Sequence, residues 1–270
     1  MTEPSAPELV SPHRHLLIPF DGSDFAIAAC AFAREIATRG GVEATLLHVG
    51  DDPPPALDAE ARRFTTPVHV RVLPGPVGEV VSEESARTGA DLLLIGARGR
   101  NPLSSLLFGS NTRTILTCTP RPTLVVHGPL APPTKILVAV EPTPVAPGIT
   151  RAARRMADVF NAQLALVTVM NVDRDLAAHP EAYGISRSAW QARQADLAAR
   201  TFAPLASIAG PTPGTIRFGI PAQQIREYAE EAGADIVVCG RRGESGDDVD
   251  HWRSVAWGLA ARGAFATLVV

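Results

Sequence analysis

Lysine is nearly absent: the 270-residue chain carries 24 arginines but one lysine, Lys135. A Walker-type phosphate loop requires Gly-Lys-Ser/Thr. Lys135 instead follows Pro132-Pro133-Thr134 and opens the apolar run 136–140, so that class of NTPase is excluded. Schiff-base chemistry would have this single candidate. Cysteine is also scarce. Cys30, Cys118 and Cys239 are scattered, with no Cys-x-x-Cys pair, which argues against a disulfide framework or a structural zinc site and for a reducing compartment. Aromatic residues make up 5%, so the core must be built from Ala, Leu, Val and Ile. No apolar run approaches the ~18 residues of a membrane span. The first residues lack the charged-then-apolar order of a signal peptide, and a cytoplasmic protein is expected. A net charge of −3 gives no strong pull toward nucleic acid or an anionic membrane.

What the chain does have is a copy of itself. HLLIPFD at 15–21 aligns with KILVAVE at 135–141, and VEATLLHV at 42–49 with AQLALVTV at 162–169, both offset by 120 residues. GADLLLIGARG at 89–99 aligns with GADIVVCGRRG at 233–243, and TLVV at 123–126 with TLVV at 267–270, both offset by 144. The second half thus carries 24 additional residues between its second and third strands. A period this long marks a duplicated domain and not a solenoid. The expected organisation is a disordered tail at 1–13, a first domain at 14–128, a stiff proline-rich linker at 129–134 and a second domain at 135–270.

In the first half, apolar runs at 15–20, 42–49, 68–73, 91–96 and 122–127 alternate with helix-period stretches at 24–39, 56–64, 77–88 and 110–118. The second half repeats the order with a longer second helix, expected at 186–208. Strands that are apolar throughout are buried on both faces, which is the mark of a parallel sheet covered by helices. The predicted fold is therefore α/β: two tandem, doubly wound, open parallel five-stranded sheets with helices on both faces. Any ligand is expected at the strand C-terminal edge.

At that edge, after the fourth strand, stand Gly96, Gly99, Gly109 and Ser110, spaced Gly-x2-Gly-x9-Gly-Ser. Gly96 and Gly99 would let the backbone approach a ligand without a Cβ in the way. Gly109-Ser110 opens a helix whose unpaired amides attract anions, and Ser110 and Thr112 add hydroxyls. Such a loop could hold a triphosphate without a lysine. Asp21, at the end of the first strand, can accept from ribose hydroxyls or polar adenine atoms. It could alternatively cap the helix starting near Asp24, with Ser23 as the competing cap. His48 is read as a strand-end structural histidine.

The glycine spacing resembles the signature of the universal stress protein family, in its ATP-binding branch. The resemblance runs through both halves, so the chain looks like a tandem-domain member. It implies that Pro19 and Asp21 lie against the adenosine, that adenine meets the backbone at Val49, and that Gly96, Arg98, Gly99, Gly109, Ser110, Asn111 and Thr112 hold ribose and phosphates. It further implies ATP as ligand, with any Mg2+ carried by the phosphates. The two halves would form an internal pseudo-dimer across the final strands, as single-domain members do between chains. A homodimer through another surface and a regulatory protein partner are left open.

The second half keeps Gly240, Arg242, Gly243 and Ser254, but Arg253 stands at the third glycine position. Glu141 replaces Asp21, Ala139 replaces Pro19, and Pro142, Pro144 and Pro147 crowd the following turn. Loss of ATP binding is expected there. The acidic spacer with Asp247, Asp248, Asp250 and His251 lacks the pattern of a calcium loop or a zinc helix and reads as a solvated loop. The first hypothesis is an ATP-binding regulatory stress-response protein with a mainly structural second domain. The competitors are a slow ATPase or nucleotide-transferring enzyme on the same sheet, and a ligand-free interaction scaffold. A dinucleotide-binding dehydrogenase lacks its glycine turn after strand one.

Overall fold

The computed structural model describes residues 14–98, 109–241, 249–262 and 264–270, without the side chains of 249–254 and 262. The first half runs β1 (His15–Pro19), α1 (Asp24–Gly40), β2 (Glu43–Val49), α2 (Ala56–Ala61), β3 (Val68–Leu73), α3 (Val77–Thr88), β4 (Leu92–Gly96), α4 (Ser110–Cys118) and β5 (Thr123–Val126). The second half runs β6 (Lys135–Ala139), α5 (Ala146–Phe160), β7 (Gln163–Met170), α6 (Arg174–Ala178), α7 (Arg187–Phe202), α8 (Ala206–Ala209), β8 (Gly214–Phe218), α9 (Pro221–Ala232), β9 (Ile236–Cys239), α10 (Val249–Arg262) and β10 (Ala266–Val269), with 3-10 turns at Pro180–Tyr183 and Ala203–Leu205.

Each half is a five-stranded parallel unit, and the two units share one sheet of order β3-β2-β1-β4-β5-β10-β9-β6-β7-β8. The 120- and 144-residue offsets are those of the strands, and α6, the first 3-10 turn and α7 occupy the additional residues. The long helix expected at 186–208 begins as anticipated, with the Ser186 hydroxyl accepting from the Ala189 amide at 3.2 Å. It does not run through to 208. Pro204, which has no N–H to continue the ladder, falls in the 3-10 turn that separates α7 from α8.

Strand starts are tied down in the same way in both halves. The Asp91 carboxylate accepts from the Arg14 amide at 3.0 Å, and its repeat counterpart Asp235 accepts from the Thr134 and Lys135 amides at 2.7 and 3.0 Å. The single lysine is structural: Lys135 Nζ donates to the Ala232 carbonyl at the end of α9, 2.6 Å away. A cation at the carbonyl end of a helix is where the dipole favours it.

The sheet separates two apolar layers, each running through both halves. On one face Leu16, Ile18, Leu92 and Leu94 pack with α1, α2 and α5. There the Phe32 and Phe160 rings stack across the halves at 5.3 Å. On the other face Leu17, Leu93, Ile95 and Val125 pack with α3, α4, α9 and α10. The seam between the halves is the antiparallel pairing of β5 with β10, with Leu268 opposite Leu124 and Thr267 opposite Val125. Both leucines are 0% exposed.

Because Leu124 and Leu268 face one another within a single core layer, Leu124→Ala and Leu268→Ala should each cost about 2–5 kcal/mol in urea denaturation. The double variant should cost less than their sum by at least about 0.5 kcal/mol, because the two cavities merge. Strict additivity would place the two side chains in independent environments.

Candidate functional site

The strand order reverses between β1, which continues outward through β2 and β3, and β4, which continues through β5. In open α/β sheets such a point opens a crevice at the carboxyl ends of the strands. A cleft lies there, floored by Pro19, Phe20 and Asp21 from the end of β1 and by Leu47, His48 and Val49 from β2. Val77, Ile95, Gly96 and Arg98 form one wall, with Asn111, Thr112 and Ile115 of α4. Of the residues singled out from sequence, Pro19, Asp21, Val49, Gly96, Arg98, Asn111 and Thr112 meet in this cleft. Gly109 is the N-cap of α4 and Ser110 its exposed first residue. Gly99 lies outside the described residues.

Local chemistry explains how the turn after β1 is held. Gly22 sits at φ 76°, a left-handed conformation that costs glycine little. One Asp21 carboxylate oxygen accepts from the Ser23 amide at 3.0 Å, closing a tight side-chain turn. Ser23 is the cap of α1: its hydroxyl oxygen accepts from the Ala26 amide at 3.1 Å. The same hydroxyl donates to the Arg98 carbonyl at 3.4 Å, tying the β1 turn to the β4 turn. Of the two carboxyl and hydroxyl candidates, Ser23 therefore takes the capping role, and Asp21 shapes the turn from within the cleft.

Two of the expected ligand contacts are used inside the protein. A Cβ on Gly96 would lie 2.7 Å from the Phe25 backbone carbon and 2.9 Å from the Ala26 amide. The glycine thus serves the close docking of α1 onto the end of β4; bare backbone for a ligand is not its first requirement. The buried Thr112 hydroxyl donates to the Gly96 carbonyl at 2.9 Å, latching α4 to the same strand end, so it is not a spare donor. His48 is buried, with Nδ1 2.9 Å from the Phe20 carbonyl, which makes Nδ1 the donor and leaves Nε2 the acceptor in the neutral ring. Its role is to bridge the ends of β1 and β2.

At the head of α4, the Gly109 amide donates to the Ala97 carbonyl at 3.4 Å, and the first intrahelical bond runs from the Arg113 amide to the Gly109 carbonyl at 3.1 Å. The Ser110, Asn111 and Thr112 amides precede the helical ladder, so they have no acceptor within the helix. The first turn has no acidic residue and no side-chain cap. This is a positive helix end, unpaired among the described residues, beside a largely apolar cleft.

The second half keeps the frame and loses these features. Its cleft is lined by Ala139, Val140, Glu141, Val167, Val169, Pro221, Ile225, Cys239, Gly240 and Val255, among others. By the 144-residue offset, Val255 replaces Asn111 and Ala256 replaces Thr112. The backbone differs as well. α10 starts at Val249, five residues ahead of Ser254, the counterpart of Ser110. The amides of Ser254, Val255 and Ala256 therefore have helical carbonyls four residues behind them and are consumed by the ladder. Arg253 lies inside this helix, as do Asp250 and His251 of the acidic stretch that was read as a loop; their side chains, and all of Asp247 and Asp248, lie outside the described residues.

No group of three or more His, Cys, Asp or Glu side chains that could hold a metal stands together among the described residues. No described helix is long and apolar enough to cross a membrane. Burial pushes the Cys30 and Cys239 thiols up to about 12, which leaves them unreactive packing groups.

The sequence profile of the Universal stress protein family matches residues 55–127 and 133–270. The chain belongs to this family. A universal stress protein of Thermus aquaticus, encoded in the QAH/OAS sulfhydrylase 3' region, is 27% identical over 133 residues, covering 42% of this chain and 97% of its own. Among solved structures, a protein of unknown function from Pseudomonas aeruginosa PAO1 superimposes with a TM-score of 0.66 at 20% identity, over 96% of this chain and 92% of its own. A universal stress protein from Archaeoglobus fulgidus DSM 4304 superimposes with a TM-score of 0.62 at 18% identity, over 95% of each chain. Both likenesses extend the tandem universal stress protein fold over nearly the whole molecule.

Three residues that act at the seam were not singled out in the sequence reading. Arg113, His127 and Arg241 all act across the seam, where nothing local signals a partner more than a hundred residues away. His127, at the end of β5, has its Nε2 buried without a hydrogen-bond partner among the described residues. Burial, helped by the nearby Arg98 charge and opposed by a hydrogen bond with the Ala260 backbone, holds its pKa below the ordinary 6.5. Burial likewise lowers His15. Both rings bind protons more readily in the unfolded chain, so their contribution is complete above pH 6.5 and is lost as pH falls below it. Stability should therefore decline between pH 6.5 and 5, before the carboxylates titrate. In His127→Gln, denaturant midpoints should fall less steeply over that window; an unchanged slope would remove His127 from the account.

Proposed function

We propose that the first half binds an adenine nucleotide, with ATP the preferred form, and that the protein is a nucleotide-dependent regulator of the stress response. The observation that carries this is the N-terminus of α4, whose first amides have no partner among the described residues, beside an apolar cleft that has one described carboxylate, Asp21, in its lining. A nucleotide has the matching order of parts. Its flat, weakly polar base suits the walls formed by Pro19, Leu47, Val49 and Val77, with the backbone at Val49 for edge hydrogen bonds. Its ribose hydroxyls suit Asp21, since a carboxylate has about four lone-pair positions and Ser23 takes only part of them. Its phosphates suit the amides of Ser110, Asn111 and Thr112, the Ser110 hydroxyl, Arg98 and the turn at Gly96, Gly99 and Gly109. Mg2+ arriving with the phosphates would find Asp21 as the nearest carboxylate of the cleft.

Binding without turnover is favoured by what lines this cleft. Among its described residues Asp21 is the single carboxylate, and His48 has Nδ1 committed to a backbone carbonyl, so no acid–base pair is arranged around a phosphate. The second half, in this reading, is a structural partner: the amides of Ser254, Val255 and Ala256 are taken up by the α10 ladder, and Val255 and Ala256 offer no polar side chain. The domains divide at the proline-rich linker 129–134, and the nucleotide state acts on protein partners in the cytoplasm.

Calorimetric titration of ATP into nucleotide-stripped protein should give about one site per chain. Two sites would overturn the silent second half, and none would leave a scaffold. Gly109→Arg, which repeats the second half's substitution, should abolish binding. Asp21→Asn should weaken it by about 1.5–3 kcal/mol, the range for a hydrogen bond to a charged group.

A further inference from the structure

Arg241 belongs to the turn after β9 in the second half, yet its guanidinium is spent on the first. Nη1 donates to the Leu116 and Thr119 carbonyls, each at 2.5 Å, and Nη2 donates to the Arg121 carbonyl at 2.8 Å. These three oxygens lie in the last turn of α4 and in the chain that leads from it into β5. The last carbonyls of a helix have no partner within it and carry the negative end of its dipole. Arg241 is thus a helix cap supplied from the other half, and the planar fork of a guanidinium is suited to several oxygens at once.

The anchor of this cap is rigid. The Arg241 amide donates to the Val270 carbonyl at 2.7 Å, and the Val270 amide donates to the Cys239 carbonyl at 3.0 Å, so the residue is fixed to the end of the seam strand β10. A second contact acts on the flank of α4, where the Arg113 guanidinium lies over the Trp257 ring of α10 at 5.6 Å from its centroid. A nine-residue helix is too short to be stable alone, so its position is set by such contacts. The guanidinium cap is not repeated, although the first half does reach α10 in return through His127, which hydrogen-bonds the Ala260 backbone in its last turn. By the repeat offset the counterpart of Arg241 is Ala97, whose methyl group cannot cap α10 in return. The half whose α4 amides lack partners among the described residues is the half that receives the guanidinium.

We infer that Arg241 is a positioning residue for the anion end of α4, and that through it the occupancy of the first cleft is coupled to the seam between the halves; this rests on the nucleotide reading above. One short helix carries both contacts: phosphate at its amide end, Arg241 at its carbonyl end. An axial shift that brings the amides onto a phosphate must draw the carbonyls away from Arg241. Any preference of one contact for a position of α4 is therefore felt by the other, equally in both directions. The second half, without a nucleotide of its own, becomes the element that senses or sets the state of the first.

The test uses the full chain as wild type, Arg241→Ala and Arg241→Lys, titrated with ATP and with adenosine, alongside hydrogen exchange of α4 without nucleotide. Arg241→Ala should weaken ATP about tenfold, a typical coupling factor, and adenosine by less than about twofold. Exchange of the α4 amides should speed up by about tenfold while β1 and β2 stay protected. Arg241→Lys should recover only part of the loss, since an ammonium does not span three carbonyls. Equal weakening of ATP and adenosine would reveal a general structural role and overturn the inference, as would unchanged ATP affinity with unchanged α4 exchange. Should Arg241→Ala fail to fold, the ATP-to-adenosine ratio of Arg241→Lys is judged by the same criterion. If the wild type binds no adenine nucleotide, the nucleotide reading fails and the coupling with it. The exchange of α4 then still decides whether the cap exists.

Discussion

Two strand edges that would each be an open row of amides and carbonyls, β5 in one half and β10 in the other, satisfy one another in the middle of the sheet. Exposed edges of this kind recruit other chains; here the recruitment is internal. The pairing is antiparallel where the other strand pairs are parallel, so it relates the halves by an approximate twofold axis. Every long-range feature follows from it. The two apolar layers become continuous through both halves, Phe32 of α1 reaches Phe160 of α5, and α4 comes to lie beside α10.

Within the first half, a few short contacts set the shape of the cleft. The absent side chain of Gly96 lets the start of α1 touch the end of β4, Ser23 ties the turns after β1 and β4 together, and the Thr112 hydroxyl pins α4 to the Gly96 carbonyl. Groups that a motif-based reading assigns to a ligand are partly engaged in building the place where a ligand would sit. What remains directed outward is backbone: the amides at the head of α4, which have no partner among the described residues. Backbone donors need no lysine, which is consistent with a chain that has one lysine and uses it to cap α9.

The duplication has been preserved where packing demands it and has diverged where it does not. Strand registers, the Asp91 and Asp235 ties and the core leucines and valines recur in both halves because each half must close the same sheet. The clefts share a frame, but one has Asn111 and Thr112 at the start of its helix, and the other has Val255 and Ala256 there in a helix begun five residues earlier. Asymmetry at the seam accompanies this, with Arg241 facing an alanine in the repeat.

Much of the architecture was legible beforehand. Doubly buried parallel strands show as unbroken apolar runs, and helices such as 77–88 and 110–118 were placed to the residue because a glycine or proline bounds them. The helix expected at 186–208 was drawn too long, since Pro204 sits in a stretch whose composition otherwise continues helical. At the site, most candidate residues converge, because a loop between two buried elements has few places to go. Their individual duties were less legible. Gly96 and Thr112 have partners 70 and 16 residues away in sequence, and neither residue type says whether its partner will be protein or ligand. The sequence alone determined the duplicated α/β plan, the strand edge that carries the cleft and the presence of Arg253 where the second copy should have its third glycine, all of which follow from local periodicity and spacing. Only the tertiary structure decided that Arg241 caps α4 from across the seam, and that the head of α4 has no partner among the described residues while the corresponding stretch of α10 lies within its own helix. Those outcomes depend on where carbonyls and amides find partners, and hydrogen-bond partners more than a hundred residues apart leave no local pattern.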